Sequence, residues 1–444
     1  MIISNPTRTV CARCVSRSRY FSTTVHRNTS APENANPARP PAAGYTRLKH
    51  RGLIHATGQD SQAFLQGLIT QNMNTLDHEK KGSYAAFLNS QGRILNDAFI
   101  YPAPAVDGGP GWFIEAAVDQ IPALVKRLKR HRLRSKVQIR ALDADERTVW
   151  ASWGENEREG RWATYSMRYN DSDGRWPMDR VLGCEDTRAP GFGLRILAPD
   201  TVDLRTHFEH ASRPYENPLA DGAQEVGLDS YHVRRMLHGI AEGTAELLHK
   251  PSLPLECNFD MAGAIDFRKG CYIGQELTIR TKHTGLVRKR ILPVQLYAGS
   301  SIPDGDLPVY NPAALGTTLP PPPSGLEIAK LRGMTGGRSA GRFLAGIGNI
   351  GLALCRVEMM TPVSPTGENR EFHPDREFTI TWDAPAEDGS PSSRTVKIKA
   401  FVPPWLQHYI ASTRNPPRAR DPIREQQRAK ELAERLEEEE EEES

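Results

Sequence analysis

Two short apolar runs, Ser83-Tyr84-Ala85-Ala86-Phe87-Leu88 and Ile94 to Tyr101, stand on either side of Asn89-Ser90-Gln91-Gly92. A polar, glycine-ended turn of that length between two such runs predicts a β-hairpin. Helical spacing precedes it. Ala63, Phe64, Leu65, Leu68 and Ile69 recur on one face after the loop Gly58-Gln59-Asp60-Ser61, where Asp60 is placed to cap the helix. A second amphipathic helix is expected over Asp119 to Arg132, with Ile121, Leu124, Val125 and Leu128 on one side, and Val137-Gln138-Ile139 then alternates like a strand. Strands and helices interleave without a steady βαβ rhythm, which favours an α+β fold over a doubly wound sheet.

The organisation follows from composition along the chain. Residues 22–44 are rich in Pro, Ala and Asn and read as a disordered linker, with a core expected over 45–290. Within that core, 154–180 is polar and irregular, and Tyr231 to Leu237 is expected to be a helix with Arg234 and Arg235 on its exposed side. A small β-domain over 291–405 is expected from the runs Ile347 to Met359, Phe378 to Trp382 and Val396 to Val402. A Gly- and Pro-rich stretch at about 299–341, including Pro320 to Pro323, reads as a disordered insertion in it. Residues 406–444 form a charged tail, helix-prone from Ile423, whose end, Glu437 to Glu443, is expected to be solvated.

At 444 residues the chain has room for two or three domains, and 38% hydrophobic with 25% charged residues suits a soluble protein. The least polar stretch, Phe343 to Cys355, is too short to cross a bilayer, which takes about 20 apolar residues. The first acidic residue is Glu33, and before it lie Arg8, Arg13, Arg17, Arg19 and Arg27 among many Ser and Thr. That composition marks residues 1–21 as a mitochondrial transit peptide, with cleavage near Phe21 in Arg19-Tyr20-Phe21-Ser22, and the matrix as destination. The pair Cys11 and Cys14 falls inside this segment and is set aside as chance. The stretch between cleavage site and Glu run is mildly basic, which suits anionic ligands or an acidic partner and is too scattered for nucleic acid. His55, His232, His238 and His249 form no recognisable triad, and Cys257 is read as packing.

One segment asks for a chemical explanation: Phe267-Arg268-Lys269-Gly270-Cys271-Tyr272-Ile273-Gly274-Gln275-Glu276. Gly270 and Gly274 permit sharp turns or close backbone approach. Arg268 and Lys269 before Cys271, with Arg280, Lys282 and His283 after it, favour a thiolate if they converge on it. A thiolate attacks electrophiles or binds soft metals. A buried, space-filling cysteine is the alternative. One thiol does not hold an iron–sulfur cluster, so such a role calls for ligands from a partner or from a second copy.

The run Lys269-Gly270-Cys271-Tyr272-Ile273-Gly274-Gln275-Glu276 closely resembles the signature of the YgfZ-type, folate-binding relatives of the glycine-cleavage T-protein. The resemblance extends to Phe64-Leu65-Gln66-Gly67-Leu68-Ile69-Thr70, to Ala85 to Asp97, to Pro254-Leu255-Glu256 and to Arg280 through Lys289. It implies a pseudo-symmetric, ring-like α+β core with a central folate-sized cavity, followed by a β-barrel-like C-terminal domain. Joined to the transit peptide, it implies the mitochondrial branch of that family, which acts late in [4Fe-4S] cluster assembly. That branch is expected to work with A-type scaffold proteins for aconitase-like and lipoate-synthase-like clients, with Cys271 as a cluster ligand shared with a partner.

The alternative is a folate-dependent aminomethyl or one-carbon transferase. The T-protein hairpin carries two adjacent carboxylates, where this chain has Gly92-Arg93-Ile94-Leu95-Asn96-Asp97. An amide at Asn96 is a poor base and carries no charge, so transfer chemistry is not expected. Asp97 is either a cofactor-binding carboxylate or a strand-end residue. Gln275 and Glu276 either bond the edge of a tetrahydrofolate or brace the Cys271 loop through backbone amides. Arg280, Lys282 and Arg288 are placed to neutralise a glutamate tail or an acidic partner, or simply form a solvated face.

Overall fold

The computed structural model describes residues 36–79, 82–106, 109–154, 181–209, 219, 222–247, 252–284, 286–315, 322–330, 339–365, 372–385 and 391–414. The strands are β1 (Gly44–Arg47), β2 (Arg51–Thr57), β3 (Ser83–Leu88), β4 (Ile94–Val106), β5 (Gly109–Ala117), β6 (Gln138–Ala141), β7 (Arg147–Trp153) and β8 (Leu182–Glu185). They continue with β9 (Leu194–Pro199), β10 (Gln224–Glu225), β11 (Lys289–Tyr297), β12 (Glu327–Lys330), β13 (Gly341–Ile347), β14 (Ile350–Arg356), β15 (Phe378–Pro385) and β16 (Pro391–Ala400). The helices are α1 (Ser61–Gln66), α2 (Met73–Glu79), α3 (Ile121–His131), α4 (Leu204–Glu209), α5 (Leu228–Leu237), α6 (Gly243–Glu246), α7 (Gln275–Thr284), α8 (Val357–Met360) and α9 (Pro404–Arg414).

The hairpin is β3 paired with β4, and it builds a sheet in the order β3-β4-β5-β2-β6. Side chains alternate across that sheet with the two-residue period of a strand. Ala98 and Ile100 of β4, with Trp112 and Ile114 of β5, join Phe64, Leu65, Ile69, Leu124 and Leu128 of the helical layer. Phe99, Tyr101 and Phe113 face the other way, into a core shared with Val149, Ala151, Leu182 and Leu197 of the second sheet, ordered β10-β1-β7-β9-β8. Each fully buried Leu or Phe contributes about 1.5–3 kcal/mol to that packing.

After the core comes a closed barrel, β11-β14-β13-β12-β15-β16, whose closure leaves no open sheet edge. Phe343, Ala353, Ile380 and Ile398 fill it, with Leu406 and Ile410 of α9 packed alongside.

Several expectations change here. Residues 36–43 are not free linker: Asn36 Nδ2 donates to the Pro312 carbonyl, Tyr310 Oη to that of Pro37 and Trp153 Nε1 to that of Pro41. The stretch at 299–341 contributes β12 to the barrel, because closure needs a strand between β13 and β15. The helix α9 likewise belongs to the barrel rather than to a charged tail. Asp60 caps nothing with its side chain, and its Oδ2 instead accepts from Lys136 N at 2.7 Å. Arg234 and Arg235 are buried: Arg235 forks onto Glu246 and Arg234 donates to the Phe192 carbonyl. The transit peptide, most of 154–180, His249, Pro320, Pro321 and the tail from 415, with Ile423 and the Glu run, lie outside the described residues.

Candidate functional site

The signature loop is held against the hairpin. Gly274 has φ +83°, and a Cβ there would stand 2.2 Å from the Asn89 carbonyl oxygen. Gly92 has φ +75°, and its own Cβ would stand 2.8 Å from the Gly274 carbonyl oxygen. Two left-handed glycines thus let the turn Asn89–Gly92 and the signature touch backbone to backbone. Ile273 N donates to the Gly67 carbonyl at 3.1 Å, tying the loop to the end of α1 as well.

On that braced support Cys271 is exposed. Among the described cysteines, Cys184 and Cys355 are buried and Cys257 is partly so, and burial pushes all three thiols up. Gly270 differs from Gly274, since a Cβ on it would meet nothing within 4 Å and its backbone is ordinary. Packing within this chain does not demand a glycine beside the thiol.

Two of the neighbouring cations are spent away from the sulfur. Lys269 turns inward and donates to the carbonyls of Gln66, Ile69 and Gln71 at 2.7, 2.8 and 2.6 Å. Burial pulls its pKa down to about 7. Three carbonyls nonetheless call for three N–H donors, which only the ammonium supplies. Lys269 therefore fastens the segment after α1. Lys282 reaches Tyr409 Oη at 3.3 Å and lies over the Phe267 ring. Arg268, Arg280 and His283 are exposed around the loop.

Gln275 braces the loop: its Oε1 accepts from Tyr272 N at 3.1 Å. Glu276 is exposed in the first turn of α7, where a carboxylate is favoured by the helix dipole. Arg280 lies further along the same helix and is exposed.

Asp97 sits elsewhere, buried between the two sheets. Its Oδ2 accepts from Arg51 Nη1 at 3.0 Å and its Oδ1 from Gly243 N at 3.2 Å. Arg51 Nε also donates to Glu115 Oε1 at 2.8 Å, and Tyr101 Oη to Glu115 Oε2 at 2.7 Å. From there the network runs through Arg195, which bonds Glu242 and Asp186, to Arg188, which forks onto Asp186 and reaches Glu242 at 2.7 Å. Tyr231 Oη accepts from Arg188 and Arg195 and donates to Glu242. Burial pushes the Glu242 carboxyl up, but Arg195, Arg188 and the His50 bond prevail and hold it well below the usual carboxylate range. Asp186 is likewise held low, with Arg188 overcoming burial.

Among the described residues, ion-paired side chains thus occupy the space around Asp97. The recess lined by Asn96, Asp97, Gly243 and Leu247 offers about 0 Å3 to a water molecule. Both Asp97 oxygens are already engaged, so Asp97 offers no free acceptor to a folate. Sequence reading missed Glu115, Asp186, Arg188, Arg195 and Glu242. A signal was present in two of them: a lone Glu in Trp112-Phe113-Ile114-Glu115-Ala116 and a lone Arg in Leu194-Arg195-Ile196-Leu197, since a charge within an apolar strand is buried with a partner.

Two sheets and a closed barrel, with the cysteine on a braced outer loop, define a chain of the aminomethyltransferase-T fold. The structure of glycine cleavage system aminomethyltransferase T from Bartonella henselae superposes with a TM-score of 0.51 and 14% identity, over 83% of this chain and 87% of that one. The pattern described as CAF17, C-terminal beta-barrel domain, matches residues 288–408. In sequence the likeness is narrower and stronger. Proteins named iron-sulfur cluster assembly factor IBA57 homolog, mitochondrial, are 53% identical in Aspergillus clavatus, over 98% of each chain, and 53% in Aspergillus fumigatus, over 97% of each. The relative of that name in Neurospora crassa is 38% identical over 90% of this chain and 88% of its own. The chain belongs to this IBA57 family of mitochondrial iron–sulfur cluster assembly factors.

Proposed function

We propose that the protein acts in the mitochondrial matrix, late in [4Fe-4S] cluster assembly, by meeting a cluster carried by an A-type scaffold protein and contributing the Cys271 thiolate as one ligand. Aconitase-like and lipoate-synthase-like proteins are the clients in this reading. The observation that carries it is the exposed Cys271 on a loop anchored by Gln275, Gly274 and Ile273. A rigid support with an accessible sulfur favours ligand exchange with a docked partner, because little ordering remains to be done on binding. The open space beside Gly270 leaves that approach unobstructed. The cluster is cargo here, and its remaining ligands come from the partner.

No folate step enters this reading, since Asp97 is spent within the ion network and Asn96 offers no charge. The test is to mix the purified protein with an A-type scaffold carrying [2Fe-2S] and record visible absorption for wild type and Cys271→Ser. A shared-cluster spectrum in the wild type alone is expected, and the same spectrum in both would remove Cys271 as a ligand. Turnover of tetrahydrofolate with an aminomethyl donor would restore the transferase.

A further inference from the structure

One strongly charged patch takes no part in the site described above. From Lys126 to Lys136, eight of eleven residues are Lys, Arg or His, and no acidic residue lies between Asp119 and Asp143. Leu124 and Leu128 bury the inner face of α3, while Lys126, Lys129 and Arg130, spaced three and four apart, are exposed on the outer one. Arg132, Arg134 and Lys136 continue the exposed charge beyond the helix. None of these six cations forms an ion pair among the described residues. Asp60, on the facing loop, gives its carboxylate to the Lys136 N–H. The helix dipole accounts for cations in the last turn of α3, but not for Lys126 before it or for the three beyond its end. Among them stands Leu133, 88% exposed, more than any other large apolar side chain among the described residues, with φ +46°. That backbone suits Gly or Asn, and Leu adopts it at a cost.

We propose that this patch docks the protein peripherally on an anionic phospholipid surface. The cations meet headgroup phosphates, and Leu133, held out between Arg132 and Arg134, enters the apolar boundary beneath them. An aliphatic tip amid unpaired cations suits that layered chemistry. Nucleic acid offers phosphates but little to Leu133, and residues 126–136 hold no aromatic ring on which a base could stack. The contact is shallow, because the apolar face of α3 is already spent on the sheet and no described helix is long and apolar enough to cross a membrane. The patch is also fastened to the signature's support. Arg127 Nη2 donates to the Leu88 carbonyl at 2.9 Å, and the Leu88 side chain stands 3.0 Å from where a Cβ on Gly274 would lie. A chain docked by this face therefore carries the Cys271 loop to the membrane with it. The docking does not depend on the cluster-sharing reading.

The test is vesicle flotation of the chain from Ser22 on, which keeps every described residue and drops the arginine-rich leader. Binding is expected to phosphatidylcholine vesicles holding about 30 mol% phosphatidylglycerol, and not to phosphatidylcholine alone. Raising salt from about 0.1 to about 0.5 M should release the protein. Lys129→Gln combined with Arg134→Gln removes two charges and no hydrogen bond seen among the described residues, and should weaken partition about twenty- to thirtyfold. Leu133→Asn should weaken it about fivefold or more while melting no lower than wild type, since Asn accepts the left-handed backbone. Absence of binding to the anionic vesicles, or binding unchanged by the double charge removal, would overturn the assignment. Binding lost with the charges but unchanged in Leu133→Asn would also overturn it, and would mark the patch as a site for an acidic protein read by charge alone.

Discussion

Asp97→Asn separates a structural carboxylate from a chemical one. In the folded chain Asp97 accepts from Arg51 Nη1 and from Gly243 N, while Arg51 keeps a second carboxylate partner in Glu115. Asparagine has nearly the same shape and one carbonyl oxygen, so it can retain one of the two bonds but not the charge. Removing one partner of a buried ion pair costs about 3–5 kcal/mol. The remaining Glu115 contact argues for the lower end, about 3 kcal/mol. With about 300 described residues and an unfolding entropy of about 2.1 cal/mol/K per residue, that lowers the melting temperature by about 5 °C. Cluster sharing with a scaffold, measured below the transition, should be unaffected. Scanning calorimetry of wild type and Asp97→Asn decides it. A melting temperature within about 1 °C of wild type would show that Asp97 does not hold the network, and its carboxylate would again be available for other chemistry.

Four further outcomes follow. Gly274→Ala should destabilise by about 2 kcal/mol or more, since it combines a left-handed φ with backbone 2.2 Å from the added carbon. Gly270→Ala should leave stability within about 0.5 kcal/mol while slowing cluster sharing, and an unfolding curve shifted as far as that of Gly274→Ala would contradict the open space seen there. Cys271→Ser should melt like wild type, because the thiol is exposed, and a clear loss of stability would mean the sulfur is a packing group. Acid should weaken the fold well before the carboxylates titrate. Burial holds the pKa of His232 near about 3 and of His238 near about 4, against about 6.5 in an unfolded chain. Between those values the unfolded state binds more protons, so stability is fully present above about pH 6.5. It falls as pH drops towards 4, by about 1.4 kcal/mol per pH unit for each histidine. Glu242 and Asp186, held low, add to the loss from the ordinary carboxylate range downward, where the unfolded chain begins to protonate them first. Urea midpoints at pH 7.5, 6.0 and 5.0 measure the slope, and a flat profile would refute neutral burial of these rings.

Local pattern carried much of this protein in plain view. The apolar runs Ser83 to Leu88 and Ile94 to Tyr101 and the turn at Asn89–Gly92 specify the hairpin, because turn chemistry and short apolar runs are properties of neighbouring residues. The spacing of Ile121, Leu124 and Leu128 likewise specifies α3, and Gly274 could be read as a point of close approach. Which close approach it serves was not legible, since the Asn89 carbonyl lies 185 positions away in the chain. The same holds for charge. Glu115 and Arg195 each sit in an apolar strand, but their bonding to each other and to Asp186 and Glu242 depends on how two sheets stack. Lys269 stands beside Cys271 in sequence yet spends its charge on the carbonyls of Gln66, Ile69 and Gln71. Short-range order follows from the covalent chain, whereas the partner of a buried charge is chosen by desolvation, and only the assembled interior decides what is left dry.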